Sequence, residues 1–197
     1  MTLTAVLLAG GESHRMGRDK AMLMVNGQPF WTRQIGLLRQ LSPRELMVSA
    51  RTAPDWLEED IRFVADPVPA RGPLGGIAAA LAAMTSTHLL ALAIDMPSME
   101  VGHLEALWNR ATPGCGVLPW LGDHAEPLAA VYPAEALPFA TRMLTGDEFS
   151  MRVFTETLLS AGRMKRHTIG ALDAKLYANC NSPADWQRHS VSKSAHD

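Results

Sequence analysis

Short, mostly apolar runs recur along the first half of the chain, and each ends in a glycine or a polar break. Residues 4–8 stop before Gly10-Gly11, 45–50 before Arg51, 61–65 at Asp66, and 89–94 at Asp95. Runs of this length and character predict strands buried in a sheet. Between them the period changes. Phe30, Trp31, Ile35, Leu38 and Leu41 fall at helical spacing behind Pro29, a residue suited to a first helical turn. This predicts one helix with an apolar face and gives Trp31 a place in the core. Residues 21–25 stay apolar and meet a turn signal at Asn26-Gly27. Residues 54–60 read as a short acidic helix or loop. Residues 77–84 read as a helix of small residues opened by Arg71-Gly72-Pro73-Leu74-Gly75-Gly76.

The second half is less regular. A helix is expected over 101–110 with Leu104 and Leu107 inward, a strand over 116–121, a turn over 122–127 and a returning strand over 128–132. Helices over 134–145 and 150–161 and a strand over 165–169 follow. Ser182 is placed to cap a last helix with Pro183 behind it, and residues 191–197 read as a flexible tail. Strands alternating with helices predict an α/β fold of three layers, α/β/α, around a mainly parallel sheet. The strand ends Gly10, Ser49, Asp66 and Asp95 would then share one edge, where ligands of open α/β sheets bind.

Composition narrows the class. At 197 residues the chain suits one domain over residues 1–190, and the change of texture near residue 100 divides it into a 1–100 half and a 101–190 half. It is 47% apolar and 19% charged, as globular chains are. A net charge of −2 argues against a nucleic-acid binder, so any anion site must be local. Cys115 and Cys180 make no disulfide framework and fit a reducing compartment. Met1-Thr2-Leu3-Thr4 lacks the basic start of a signal peptide, and residues 75–84 are too few to span a bilayer. These features predict a cytoplasmic protein with no membrane partner.

The chemistry concentrates in residues 7–20, Leu-Leu-Ala-Gly-Gly-Glu-Ser-His-Arg-Met-Gly-Arg-Asp-Lys. Glycines after a buried strand let backbone N–H groups approach an anion closely. Arg15 can fork onto one phosphate and Lys20 can place a point charge on another. Neither the P-loop spacing nor the dinucleotide glycine fingerprint is present. The plainer alternative is a glycine-rich turn with solvated basic residues. Asp95 follows a wholly apolar strand, where a carboxylate is costly unless satisfied. Mg²⁺ suits it, since that ion takes one or two carboxylates plus phosphate oxygens and waters. A capping role is the alternative. Asp66 stands ready for a base, a sugar or the metal site, or simply starts a turn before Pro67. The histidines show no metal-ligand spacing, and no Ser-His-Asp set can be picked out.

Leu8-Ala9-Gly10-Gly11 through Arg15-Met16-Gly17 to Asp19-Lys20 resembles the signature of nucleotidyltransferases with the nucleotide-diphospho-sugar transferase fold, a Rossmann-like architecture. Within that group the chain is most similar to the molybdenum cofactor guanylyltransferases, over nearly its whole length. The resemblance implies that Leu8, Ala9, Gly10, Gly11, Lys20, Ser49, Asp66, Gly72, Pro73 and Leu74 contact the nucleotide. It makes Asp95-Met96-Pro97 the Asp-x-Pro landmark whose aspartate binds the metal. Asn179 and Asn181 match the Asn-x-Asn-x-Pro pair that serves the pterin side. Ser49 departs from the asparagine common in these relatives, and a hydroxyl cannot copy both halves of an amide. Glu126-Pro127 stands where they carry His-Pro or a similar pair.

The implied reaction is transfer of GMP from GTP to the phosphate of molybdopterin, with Mg²⁺, releasing pyrophosphate. Arg15, Lys20 and Asp95 would be the catalytic residues. Gly11, where cytidylyltransferase relatives carry alanine, favours a purine by leaving room for its amino group. The alternatives are CTP or another phosphorylated acceptor as substrate, or a nucleotide-binding module without catalysis. Contact with other cofactor-assembly proteins is a further expectation.

Overall fold

The computed structural model describes residues 1–10, 20–25, 27–67, 71–146 and 149–180, without the side chains of Lys20 and Val25. The first strand, β1 (Leu3–Leu8), is buried at every position. A 3-10 turn at Lys20–Met22 leads to β2 (Met24–Val25) and β3 (Gln28–Pro29), a small antiparallel hairpin. Gly27 turns that hairpin at φ 79°, a backbone conformation glycine adopts without Cβ strain. Then follow α1 (Phe30–Gln40), β4 (Glu45–Ala50), β5 (Arg62–Ala65), α2 (Gly72–Ala83) and β6 (His88–Ala93). The later elements are α3 (Val101–Trp108), β7 (Gly116–Leu121), β8 (His124–Ala125), β9 (Ala129–Pro133), α4 (Leu137–Leu144), α5 (Met151–Ser160) and β10 (Met164–Thr168).

Among the described residues the main sheet runs β10-β7-β9-β6-β1-β4-β5, with β8 on β7. β1 sits near its middle and pairs in parallel with β4 and β6, so Leu8 lies level with both Ser49 and Ala93. β9 enters antiparallel between β6 and β7, and β10 adds in parallel to β7. Both faces are covered, as a mainly parallel sheet requires. One face takes Phe30, Ile35 and Leu38 of α1, Leu104 and Leu107 of α3, and Leu176 and Tyr177. The other takes Leu74, Ile77 and Leu81 of α2, Ala140 of α4, and Phe154 and Leu158 of α5. This is the expected three-layer α/β arrangement.

Several expected boundaries moved, each for a physical reason. α2 opens at Gly72, five residues before the expected Ile77, because proline is tolerated in a first turn and Pro73 stands there. The expected turn 122–127 contains β8, which folds back on Trp120 and Leu121. Residues 134–145 divide into a 3-10 turn, Ala134–Ala136, and α4. Residues 54–60 form turns without a helix. Trp31 is half-buried and stacks on Trp56 at a centroid distance of 5.1 Å. The interior place one turn beyond Phe30 belongs to Gln34, which is fully buried.

Candidate functional site

The carboxyl ends of β1, β4, β5 and β6 meet on one edge, as the strand breaks foretold. Ala9 and Gly10 both donate their backbone N–H to the Ser49 carbonyl, at 2.9 and 3.0 Å. These two amides are therefore engaged by β4. A phosphate cradle would draw its amides from the residues that follow. Gly11 and Arg15 lie outside the described residues, as do the side chain of Lys20 and Asn181.

Ser49 is 1% exposed, and its hydroxyl donates to Asp66 Oδ1 at 2.5 Å. Asp66 leaves β5 with its own N–H on the Ala50 carbonyl at 2.9 Å. Its carboxylate lies against two glycines. A Cβ on Gly10 would stand 2.2 Å from Asp66 Oδ2, and one on Gly76 would stand 2.7 Å from Ser49 Oγ and 3.2 Å from Asp66 Oδ1. The two glycines thus leave the space that Ser49 and Asp66 fill. This gives Ser49 a definite task where relatives carry asparagine: it holds Asp66 in place. Gly75 serves the same junction, since a Cβ there would meet Pro67 Cγ at 2.8 Å. Of the expected nucleotide contacts on α2, Gly72 and Pro73 are exposed, whereas Leu74 is buried in the core. Leu8 is likewise a core side chain.

Asp95 is half-buried two residues past the end of β6. The ladder continues to its threshold, with Ile94 N–H on the Leu8 carbonyl at 3.1 Å. Two later segments come to the same place. The Asp95 carbonyl accepts from Cys180 N–H at 2.9 Å, which brings the neighbouring Asn179 to this strand end. The Leu128 carbonyl accepts from Ala93 N–H at 2.7 Å, which brings the Glu126-Pro127-Leu128 turn alongside. Asp95 and Asn179, widely separated in sequence, therefore belong to one neighbourhood.

The donor chemistry at Asp95 suits Mg²⁺. A carboxylate on an edge where a triphosphate would lie matches an ion that takes one or two carboxylates and completes its shell with phosphate and water. Among the described residues no three of His, Cys, Asp or Glu gather as a protein-only cage.

Beyond β6 the polar groups are larger and titratable. His103 Nε2 lies 2.7 Å from the Tyr177 hydroxyl, and Asp173 Oδ2 lies 4.0 Å from His103 Nδ1. Burial holds the His103 imidazole below its ordinary value, partly offset by Asp173. Burial also pushes the Tyr177 phenol up, with Glu126 and Asp173 adding to it. Glu126 is pushed up by burial, against the opposing effect of His124 at 3.2 Å. The sequence reading missed His103 and Tyr177 as a pair, and no spacing announces a bond across 74 residues. It also missed Gln34. Its signal was a lone amide between Phe30 and Leu38, one turn from each, on an otherwise apolar face.

At the opposite end of the sheet an open groove of about 510 Å³ is lined by Arg39, Arg44, Glu45, Asp60 and Arg62, among others. It holds none of the candidate residues. Arg39 pairs with Asp60 and Glu58, and Arg62 with Glu45. Among the described residues no helix is long and apolar enough to cross a membrane.

Comparison with known proteins agrees with this geometry. Residues 5–162 match the family model for the MobA-like NTP transferase domain. A probable molybdenum cofactor guanylyltransferase of Opitutus terrae is 35% identical over 189 residues, covering 94% of each chain. The molybdenum cofactor guanylyltransferase of Xanthomonas euvesicatoria is 31% identical over 94% of this chain and 93% of its own. Among solved structures, molybdopterin-guanine dinucleotide biosynthesis protein A of Archaeoglobus fulgidus superposes with a TM-score of 0.73 at 23% identity, over 98% of this chain and 99% of that one. A nucleotidyl transferase of Methanothermobacter reaches 0.78 at 17% identity, over 100% and 99%. At these identities the two structures speak for a shared fold.

Proposed function

The chain belongs to the MobA-like NTP transferase family, and from that premise we propose that it is a molybdenum cofactor guanylyltransferase. It transfers GMP from GTP to the terminal phosphate of molybdopterin. An acceptor phosphate oxygen attacks the α-phosphorus. A new P–O bond forms there, the bond to the β-phosphate bridging oxygen breaks, and pyrophosphate leaves with the electron pair. The acceptor is already an anion, so no protein base has to remove a proton. Such a reaction needs orientation and charge neutralisation above all.

In this reading Ser49, Asp66 and the bare faces of Gly10 and Gly76 form the nucleotide wall. Gly72 and Pro73, at the exposed start of α2, and the backbone at Leu8, Ala9 and Leu74 border it. Gly11, Arg15 and Lys20 serve the phosphates, the two cations drawing charge from the departing pyrophosphate. Asp95 is the residue that would hold Mg²⁺, which when bound offsets charge on the reacting phosphate. Asn179 and Asn181 face the pterin, whose ring edge offers both donors and acceptors to an amide.

The observation that carries this reading is the backbone bond between Cys180 and Asp95, which joins the acceptor-side asparagine segment to the nucleotide-side carboxylate. Calorimetry with GTP, CTP, ATP and UTP in the presence of Mg²⁺ tests it. GTP preference, weakened in Lys20→Ala, is expected. CTP preference would move the product to a cytosine dinucleotide. Binding without pyrophosphate release in the presence of the pterin would leave a nucleotide-binding module.

A further inference from the structure

We propose that Gln34 is a positioning residue for Asp95: it fixes the backbone on both sides of that carboxylate and so sets how tightly a divalent cation is held there. The proposal rests on the reading of Asp95 given above.

Gln34 lies on the inner face of α1 and is 0% exposed. A buried primary amide is costly unless its donors are used. Nε2 donates to the Met96 carbonyl at 2.9 Å and reaches the Ile94 carbonyl at 3.4 Å. Both partners are acceptors, so only the NH₂ end of the amide can face them. These are the residues immediately before and after Asp95. The carbonyl of Asp95 itself takes Cys180 N–H at 2.9 Å. Three consecutive carbonyls, 94 to 96, are thereby held, two of them by one side chain. Arg33 continues the same hold, with Nη2 donating to the Met99 carbonyl at 2.9 Å.

α1 is also tied to the segment that follows the glycine-rich loop. Phe30 N–H donates to the Leu23 carbonyl at 2.8 Å. One helix therefore joins the chain leaving the phosphate loop to the turn bearing Asp95, and Gln34 is the contact at its inner end. Groups that orient a metal ligand from behind commonly change metal affinity 10- to 100-fold when removed. A purely structural amide would lower stability and leave the cation affinity of the folded protein unchanged.

The test uses Gln34→Met, which keeps length and volume but has no donor. Mn²⁺ binding to the full chain with GTP present is followed by electron paramagnetic resonance, alongside thermal unfolding. The expected result is a rise of about tenfold or more in the Mn²⁺ dissociation constant, with metal-free GTP affinity unchanged. A folded Gln34→Met chain that binds Mn²⁺ within about twofold of wild type overturns the proposal. If the wild-type chain itself binds no Mn²⁺ with GTP, the metal reading of Asp95 falls first and the proposal falls with it. Should the variant fail to fold, the wild-type chain answers by NMR. The Gln34 side-chain amide resonances are expected to move as Mg²⁺ is added to the GTP complex. Their staying fixed while the Asp95 backbone amide moves overturns the proposal.

Discussion

The two sides of the sheet edge are built by different means. On the β1–β4–β5 side, short groups meet at neighbouring strand ends: Ser49 on Asp66, with Gly10 and Gly76 leaving them room. Parallel register sets these positions, since Leu8, Ser49 and Val64 are successive partners across the strands. On the β9–β7–β10 side, long side chains from separate segments meet, as His103 does Tyr177. The first side is held by strand pairing itself. The second is held by tertiary contacts between elements, and several of its groups titrate. Rigidity is thus concentrated on the nucleotide side, and sensitivity to solution conditions on the acceptor side.

Asp95 lies between the two, and its replacement should have the largest effect. Asp95→Asn should lower pyrophosphate release at least about a hundredfold, the order lost with one transition-state contact. The melting temperature should stay close to wild type. Near-normal turnover in the folded variant would remove the carboxylate from the chemistry.

Added methyl groups separate the two sides next. A Cβ on Gly116 would stand 2.0 Å from the Val131 carbonyl oxygen, part of the β7–β9 backbone that cannot step aside. Gly116→Ala should cost about 3 kcal/mol in denaturant unfolding, the upper range for overpacking. Gly76→Ala presses on the Ser49 hydroxyl, a side chain with some freedom, and should cost only about 1–2 kcal/mol. It should nonetheless weaken GTP binding by calorimetry, because Asp66 must shift with Ser49. Unchanged GTP affinity would mean that the close packing serves folding alone.

Proton linkage gives a gentler test. Burial lowers His88, His103 and His167 below their ordinary value of 6.5. Below that pH the unfolded chain binds more of these protons than the native one does. Their contribution to stability is complete above 6.5 and is lost as pH falls through the lowered folded values. Denaturant midpoints measured between pH 8 and pH 5 should therefore decline, and His103→Gln should flatten part of the slope. A flat profile would mean that these rings find no net penalty on charging. The smallest effect belongs to the far end of the sheet. Arg39 is 40% exposed where it meets Asp60, and Arg39→Gln should cost below about 1 kcal/mol.

What could be read from the chain follows the same division. The strands and their polar ends were legible because buried parallel strands are short apolar runs. The edge gathering Gly10, Ser49, Asp66 and Asp95 follows from them. The bond between Ser49 and Asp66 was not legible, since it depends on how β4 and β5 are registered. Nor was the antiparallel entry of β9, because its place between β6 and β7 is a matter of long-range pairing. The amide of Gln34 looked like an ordinary helix position, as its partners lie 60 and 62 residues away. The asparagine motif was visible in sequence, but its meeting with Asp95 required the turn through Asp173 and Tyr177 to bring it back.

That meeting has a temporal side. β1 pairs with β4 early in synthesis, and β6 follows on its other flank. The partner of the Asp95 carbonyl, Cys180, emerges from the ribosome only about ten seconds later at ordinary elongation rates. The nucleotide wall can therefore take shape on the nascent chain while the acceptor side is still being made. The ribosome delivers the two halves of the edge in the order in which the reaction would use them.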